Sequence, residues 1–137
     1  NHMHMHPTVL NMLVEVGADY GLKAVRLPYE PPGGLLAPWM WNMRRKLKHA
    51  GVRYNDRIAG LRISGHMTTD RVIGLLDRLE DGVTEFYFHP ATAATPQLEA
   101  EAAGYDRKGE LDALLSPRVR AHIAAMGVKP MGFSDLC

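Results

Sequence analysis

The stretch Val83-Thr84-Glu85-Phe86-Tyr87-Phe88-His89 predicts a β-strand, because β-branched and aromatic residues dominate it. Gly82 precedes it and is typical of a turn. Farther upstream, Thr68 is a good helix N-cap and Asp70 is an acidic residue in the first turn of the helix that we predict to reach Leu79. A predicted helix therefore leads into a predicted strand.

The same alternation continues on both sides of this stretch. We predict strands over residues 1–7, 23–27, 56–63 and 128–133, and helices over 8–20, 39–50, from about 108 onward, and 116–127. A strand-helix unit that recurs four times before a fifth strand favours an α/β fold with a parallel sheet, either open or closed into a barrel. The length fits one domain over residues 1–137.

Composition and charge exclude several classes of function. Sixteen basic and fifteen acidic residues leave a net charge of +1, so we expect no nucleic-acid partner. No apolar run is long enough to span a bilayer, and no signal peptide is visible. The single cysteine, Cys137, excludes an internal disulfide, which agrees with the cytoplasmic location that we expect.

The first seven residues, Asn1-His2-Met3-His4-Met5-His6-Pro7, place a histidine at every second position. If this run is extended, all three imidazoles point to one face. Because imidazole is the commonest protein ligand of transition metals, the row predicts a metal site. A cloning remnant and a row of solvated rings are the alternatives.

In parallel α/β folds, ligands bind at the carboxyl ends of the strands, and three candidate positions end strands here: the histidine row, residues 26–30 and His89. We expect them to share one rim. Arg26 could bind an anionic group of a substrate or pair with Glu30. His89 is followed by a proline that turns the chain away, so its ring could transfer protons or form a structural hydrogen bond.

Residues 29–38 are rich in proline and glycine and predict a long loop, which is often a binding loop. Trp39 and Trp41 follow it, together with Met40 and Met43. These side chains could form an apolar surface that faces a lipid or a sugar, or they could belong to the core.

Several of these segments together resemble the YdjC-like carbohydrate deacetylases, most of all the branch associated with hopanoid biosynthesis. The resemblance rests on Asn1–Pro7, Lys23–Glu30, Asp81–Glu85 leading to His89-Pro90, Gly109-Glu110-Leu111 and Leu115-Ser116-Pro117. It covers essentially the whole chain. Ala91 stands where the family usually has the glycine of a His-Pro-Gly motif.

The resemblance implies a deformed (β/α) barrel that hydrolyses the N-acetyl group of an acetylated aminosugar, in this branch one carried on a hopanoid. It also implies one divalent metal ion, Zn or Mg, held by an aspartate and histidines, with a second aspartate as the base. By position, His2 or His4 would be a metal ligand and His89 a general acid. From their place at the end of a predicted strand, and not from the resemblance, we also expect Arg26 and Glu30 to bind the substrate.

The resemblance also implies that the chain corresponds to the C-terminal half of such a deacetylase, so we expect a partial barrel that lacks the paired aspartates. We therefore expect little or no activity from this chain alone. A partial barrel exposes strand edges, which predicts a homo-oligomer. The alternative is a non-catalytic metal-binding or assembly module. Phosphoester hydrolysis is disfavoured because Pro32-Gly33-Gly34 lacks the lysine of a phosphate-binding loop.

Overall fold

A computed structural model describes residues 2–32, 34–93 and 95–136 of the protein. Asn1, Gly33, Ala94 and Cys137 lie outside the described residues, and with them the start of the predicted first strand and the single cysteine. The chain divides into two compact units. The first unit comprises Asn1–Ile58, Gly82–Glu85 and Met131–Cys137, and the second unit comprises Ala59–Asp81 and Phe86–Pro130. The single domain over residues 1–137 stays a prediction.

The described residues form six α-helices and two β-strands. In chain order these are α1 (Pro7–Asp19), α2 (Ala37–His49), β1 (Arg57–Ala59), α3 (Thr69–Leu76), β2 (Thr84–Phe86), α4 (Pro96–Glu101), α5 (Arg107–Leu115) and α6 (Pro117–Ala125). Five of the helices confirm the predicted ones to within a few residues. The sixth, α4, lies between the predicted strand that ends at His89 and the helix predicted from about residue 108, where we predicted no helix. None of the described helices has both the length and the hydropathy of a transmembrane span.

Strands β1 and β2 pair in parallel. The Asp56 N–H donates to the Val83 carbonyl at 2.9 Å, and the Tyr87 N–H donates to the Ala59 carbonyl at 3.0 Å. A second parallel contact is the isolated bridge between Ala24 and Arg53. These pairings confirm an α/β fold with a parallel sheet. The closed barrel stays a prediction.

None of the five predicted strands has the predicted extent. Residues 56–63 and 83–89 form strands only at β1 (Arg57–Ala59) and β2 (Thr84–Phe86), so His89 lies three residues after the end of β2. The other three predicted strands were wrong in kind or almost absent. The histidine row is not extended, because Met3–Met5 form a 3₁₀ helix that leads directly into α1. Residues 23–27 contribute only the bridge at Ala24. Residues 128–133 contain no strand, and Phe133–Leu136 form a 3₁₀ helix instead. In that last segment, Pro130 lacks the N–H that a sheet requires.

The core of the first unit lies between α1, α2 and the segment around residue 25. Its buried apolar side chains are Leu10, Val25, Leu27, Met40, Met43, Leu47 and Val52. Met40, Met43 and Leu47 follow helical spacing and form the inner face of α2. The indole N–H of Trp39 donates to the Met5 carbonyl at 2.8 Å, which holds the 3₁₀ turn against α2.

The core of the second unit lies between α3, α5 and α6. Its buried apolar side chains are Met67, Val72, Leu76, Ala113 and Val119. The Asp106 carboxylate caps α5 by accepting from the Gly109 N–H at 2.8 Å. The chain segments around Ser64 and His89 belong to the same unit, and they form the site described below.

Candidate functional site

Two histidines of the first unit lie close together in spite of the wrong strand prediction. The ring centroids of His2 and His4 are 6.2 Å apart, and the ring planes are tilted by 50°. His4 Nε2 lies 2.9 Å from the carbonyl oxygen of Arg26, to which it can donate. This bond fixes the ring and leaves Nδ1 as the unprotonated nitrogen, as second-sphere carbonyls do for histidines that bind metals.

Burial lowers the pKa of His4 below the ordinary value of 6.5. The positive charge of Arg26 acts in the same direction, whereas the hydrogen bond to the Arg26 carbonyl opposes both. The ring is therefore neutral at pH 7, which is the form that can bind a metal ion.

Arg26 pairs with Glu85, a partner that the sequence did not suggest. Its Nε donates to Glu85 Oε2 at 2.9 Å, and a terminal nitrogen contacts the other carboxylate oxygen. The pair is bidentate, which is the strong geometry for a guanidinium and a carboxylate. The roles of Arg26 and Glu30 in binding a substrate stay predictions.

Asn55 is fully buried in the first unit and fastens the backbone next to Arg26. Its Oδ1 accepts from the Leu27 N–H at 2.7 Å, while its Nδ2 donates to the Leu27 carbonyl at 2.9 Å. Nδ2 also lies 3.0 Å from the Arg57 carbonyl. The side-chain amide of Asn55 thus takes the place of backbone–backbone hydrogen bonds between residue 27 and the start of β1.

The imidazoles of His2 and His4 can supply only part of the ligand set of a metal ion. Across residues 2–32, 34–93 and 95–136, no group of three or more histidines, cysteines or acidic residues is close enough to hold a metal ion. A zinc site needs three or four protein ligands. His2 and His4 therefore supply suitable donors without a complete set, and their role as metal ligands stays a prediction.

His89 lies in the second unit, where each of its ring nitrogens faces a hydroxyl. Nδ1 is 3.4 Å from the Ser64 hydroxyl, and Nε2 is 3.1 Å from the Tyr87 hydroxyl. A hydroxyl can donate or accept, so both tautomers of a neutral imidazole keep both contacts. When the ring is protonated, both hydroxyls can accept. The surroundings of His89 therefore suit a group that gains and loses a proton.

Two tyrosine rings flank the imidazole of His89. The Tyr87 centroid is 4.6 Å away at an interplanar angle of 85°, and the Tyr105 centroid is 5.1 Å away at 68°. Tyr105 packs against Gly65, which has a φ of +81°, and a Cβ at residue 65 would overlap the tyrosine ring. The Asp106 N–H donates to the Gly65 carbonyl at 2.7 Å and fixes this approach.

Glu110 holds the backbone of the same histidine. The carboxylate is fully buried, and one oxygen accepts from the His89 N–H. The other oxygen accepts from the Met67 N–H at 3.1 Å. Bonds from backbone N–H groups to a charged acceptor are among the stronger hydrogen bonds of a protein. Glu110 therefore holds the backbone of His89, three residues after β2, and with it the position of the imidazole.

The predicted site residues fall into different units. His2, His4, Arg26 and Glu30 belong to the first unit, and His89 belongs to the second, so the shared rim stays a prediction. Sequence reasoning missed the partners Ser64, Tyr87, Tyr105, Glu110 and Asn55. Tyr87 carried a usable signal, because it lies two residues before His89 and shares its side of an extended chain. Glu110 was noted only as part of a segment that resembles the family.

Comparisons with known proteins agree on one family. The model of the family described as YdjC-like protein matches residues 1–125. A human carbohydrate deacetylase is 29% identical over 164 residues, covering 98% of this chain and 51% of the relative. A carbohydrate deacetylase of Geobacillus stearothermophilus is 27% identical over 136 residues, covering 98% of this chain and 49% of the relative. The chain spans about half the length of these curated relatives.

A solved structure shares the fold. It is a protein of Enterococcus faecalis whose name assigns it to cellobiose-phosphate cleavage, and it superposes with a TM-score of 0.69. The match covers 98% of this chain and 50% of that chain at 18% sequence identity. At this identity the likeness describes the fold alone.

Proposed function

The chain belongs to the YdjC-like family, and from this premise we propose that the protein hydrolyses the N-acetyl group of an acetylated aminosugar with the help of a divalent metal ion. Relatives from human and mouse carry the name carbohydrate deacetylase. The observation that carries the proposal is His89, whose ring nitrogens face two hydroxyls while a buried carboxylate holds its backbone.

In the proposed reaction, His89 acts as the general acid. A water molecule gives a proton to the base and adds to the acetyl carbonyl, and the resulting tetrahedral intermediate collapses as the C–N bond breaks. The departing amine takes a proton from the imidazolium of His89, and acetate leaves with the water oxygen. The Ser64 contact, at 3.4 Å, is the longer of the two hydroxyl contacts, so we assign the proton transfer to Nδ1.

The Tyr87 hydroxyl has a supporting role in this scheme. At 3.1 Å from Nε2, it can accept from the protonated ring and donate to the neutral one, so it orients the imidazole throughout the reaction. The edges of Tyr87 and Tyr105 limit the rotation of the ring. Glu110 is a positioning residue that acts through the backbone.

A bound metal ion would polarise the acetyl carbonyl and lower the pKa of the attacking water. His2 and His4 are the donors that this chain would contribute, with His4 kept neutral by burial. We infer that the other ligands and the base come from the part of the relatives that this chain does not match, and that the same part closes the barrel. An aminosugar carried on a hopanoid is the substrate that the resemblance supports.

The proposal is tested with the chain alone and with a second polypeptide that carries the unmatched part of the relatives. We expect no deacetylation of an N-acetylglucosamine conjugate by the chain alone, and zinc- or magnesium-dependent turnover by the two together. His89→Gln should lower kcat about 100-fold or more, as for loss of a general acid. His122→Gln is the matched control, because His122 pairs with Asp77 on the surface of α6.

Two outcomes would contradict the proposal. Turnover that is unchanged in His89→Gln would show that His89 is not the general acid. Stoichiometric metal binding that depends on His2 and His4, with no turnover when the missing part is present, would favour the non-catalytic metal-binding module.

We also propose that the chain forms a homo-oligomer in the cytoplasm. The second unit exposes Leu114 and Leu115 at the end of α5, which gives an apolar surface for a second copy. Light scattering at micromolar concentration should give a mass above that of one chain, and cell fractionation should recover the protein with cytoplasmic markers. A monomeric mass would contradict the oligomer.

A further inference from the structure

One stretch of the first unit combines exposed apolar side chains with uncompensated positive charge. Between Glu30 and Asp56 the sequence contains no acidic residue, whereas the whole chain is nearly neutral. The basic residues of this stretch are Arg44, Arg45, Lys46, Lys48 and Arg53. We call the stretch from residue 35 to residue 49 the basic-apolar face.

The apolar part of this face is unusually exposed. The exposed fraction is 100% for Leu35, 53% for Leu36 and 63% for Trp41. Leu35 and Leu36 lie in the 3₁₀ turn Gly34–Leu36 that leads directly into α2, and Trp41 follows in the second turn of the helix. Three large apolar side chains therefore face solvent within seven residues of chain.

The charged part of the face follows Trp41 along the same side of α2. Arg44, Arg45 and Lys48 stand three, four and seven positions after Trp41, which places them on one helical stripe. Together with His49 and Tyr54, these four residues line an open groove. The guanidinium of Arg45 lies 5.9 Å from the centroid of the Trp41 ring.

Two of these cations have no acidic partner among the described residues. Arg44 is already used, because it donates to the Asp56 carbonyl at 2.7 Å and lies over the Tyr29 ring. Among the residues that the structure describes, neither Arg45 nor Lys48 forms an ion pair with a carboxylate. Their charge is therefore available to an external anion.

We propose that the basic-apolar face binds the surface of a bilayer that contains anionic phospholipids. Leucine and tryptophan side chains enter the boundary between headgroups and acyl chains, while lysine and arginine contact the anionic headgroups. A nucleic acid would match the cations and leave Leu35 and Leu36 without an apolar partner. The inference stands on this face alone and does not depend on the deacetylase reaction.

The test is co-sedimentation of the chain with phosphatidylcholine vesicles, with and without phosphatidylserine. Binding should require phosphatidylserine and decrease as salt is added, because salt screens the charges. Trp41 should move to an apolar environment, so its emission should shift to the blue. In Trp41→Phe, which keeps Trp39, the shift should be lost.

Matched variants separate the face from general charge and hydrophobicity. Arg45→Glu/Lys48→Glu should lower partitioning at least about tenfold, since each cation near the surface contributes. Arg118→Glu/Arg120→Glu makes the same charge change on α6 and should leave binding unchanged. Leu35→Ser/Leu36→Ser should also weaken binding, whereas Met12→Ser/Val16→Ser alters an exposed apolar pair on α1 and should not.

Several results would overturn the inference. These are binding without dependence on phosphatidylserine, equal losses in the α6 control, and no binding to either vesicle. Binding to a DNA duplex that is unaffected by the leucine and tryptophan variants would favour a nucleic-acid surface. Loss of oligomer in Leu35→Ser/Leu36→Ser, without loss of vesicle binding, would assign the face to a second copy. Circular dichroism of each variant confirms that it is folded.

Discussion

Among the residues that the structure describes, each unit has one fully buried polar side chain that fastens the backbone of its candidate site, and the two side chains differ in charge. In the first unit, the neutral amide of Asn55 ties Leu27 and Arg57 next to the residue whose carbonyl contacts His4. In the second unit, the carboxylate of Glu110 ties Met67 to His89.

The difference follows from the backbone groups that each side chain must satisfy. Asn55 faces one N–H donor and two carbonyl acceptors, so it needs an acceptor and a donor, which an amide provides. Glu110 faces two N–H donors, so it needs two acceptors, which a carboxylate provides. The backbone donors and acceptors around each buried position therefore determine whether an amide or a carboxylate is stable there. Substitutions that add a charge at Asn55 or remove the charge at Glu110 test this.

The largest effect is expected when a charge is placed in the first unit. Asn55→Asp puts a buried carboxylate against two carbonyl oxygens and should lower the free energy of unfolding by about 4 kcal/mol at pH 7. Protonation of the new carboxyl relieves the repulsion, so the loss should shrink toward pH 4. Urea unfolding at both pH values measures this. Asn11→Asp, on the exposed side of α1, is the control, and an equal loss there would contradict the comparison.

Removal of the charge from the second unit should have the next largest effect. Glu110→Ala leaves the N–H groups of His89 and Met67 without an acceptor and should cost about 3 kcal/mol of unfolding free energy. Glu110→Gln should recover part of the loss, because its amide keeps one oxygen. Asp112→Ala, on the exposed side of α5, should cost less than about 0.5 kcal/mol. If Glu110→Ala unfolds at the same urea concentration as the wild type, Glu110 is not the fastening residue.

Breaking the pair of Arg26 and Glu85 should have a moderate effect. Arg26 is 31% exposed and Glu85 is 13% exposed, so solvent weakens the attraction without removing it. Arg26→Met should lower the free energy of unfolding by about 1–2 kcal/mol, because Glu85 loses its cation. The control Lys108→Met disrupts an exposed pair on α5 and should have little effect. Equal losses of unfolding free energy in Arg26→Met and Lys108→Met would show that partial burial does not strengthen the pair of Arg26 and Glu85.

The smallest effect concerns pH and His4. Because the pKa of His4 is lowered in the folded chain, the unfolded chain binds the proton more readily. The contribution of His4 to stability is therefore present above the unfolded pKa of about 6.5 and is lost as the pH falls through the folded value. The urea midpoint of the wild type should decrease between pH 7.5 and pH 5 by more than that of His4→Asn. His49→Asn is the exposed control, and it should follow the wild type.

Local signals in the sequence predicted most of the helices. Gly21 and Gly51 follow α1 and α2 with positive φ, and Ser116-Pro117 starts α6, which are typical end and start signals of helices. The helix α4 was missed although its signal was present, since Thr95 caps it by accepting from the Leu98 N–H. Such signals act over four or five residues, so they can be recognised without tertiary structure.

The rest depended on contacts between residues that are distant in sequence. The histidine row was predicted to be extended, but its turn is held by Trp39, 34 positions after Met5. Residues 23–27 resemble a strand, yet Asn55 satisfies Leu27 in place of a neighbouring strand. His89 was found from its place at a strand end, whereas nothing near Glu110 in the sequence indicates that its carboxylate reaches a backbone 21 residues away.

The glycine at position 65 gives indirect control over the chemistry of the second unit. Because residue 65 has only a hydrogen atom there, the Tyr105 ring lies against the main chain, and the methyl group of Gly65→Ala would displace this ring relative to the imidazole of His89. The imidazole, its two hydroxyl partners and the buried carboxylate would all remain, while the packing beside the imidazole changed. The proton transfer that we propose for His89 would then change although neither His89 nor its hydrogen-bonding partners had been altered.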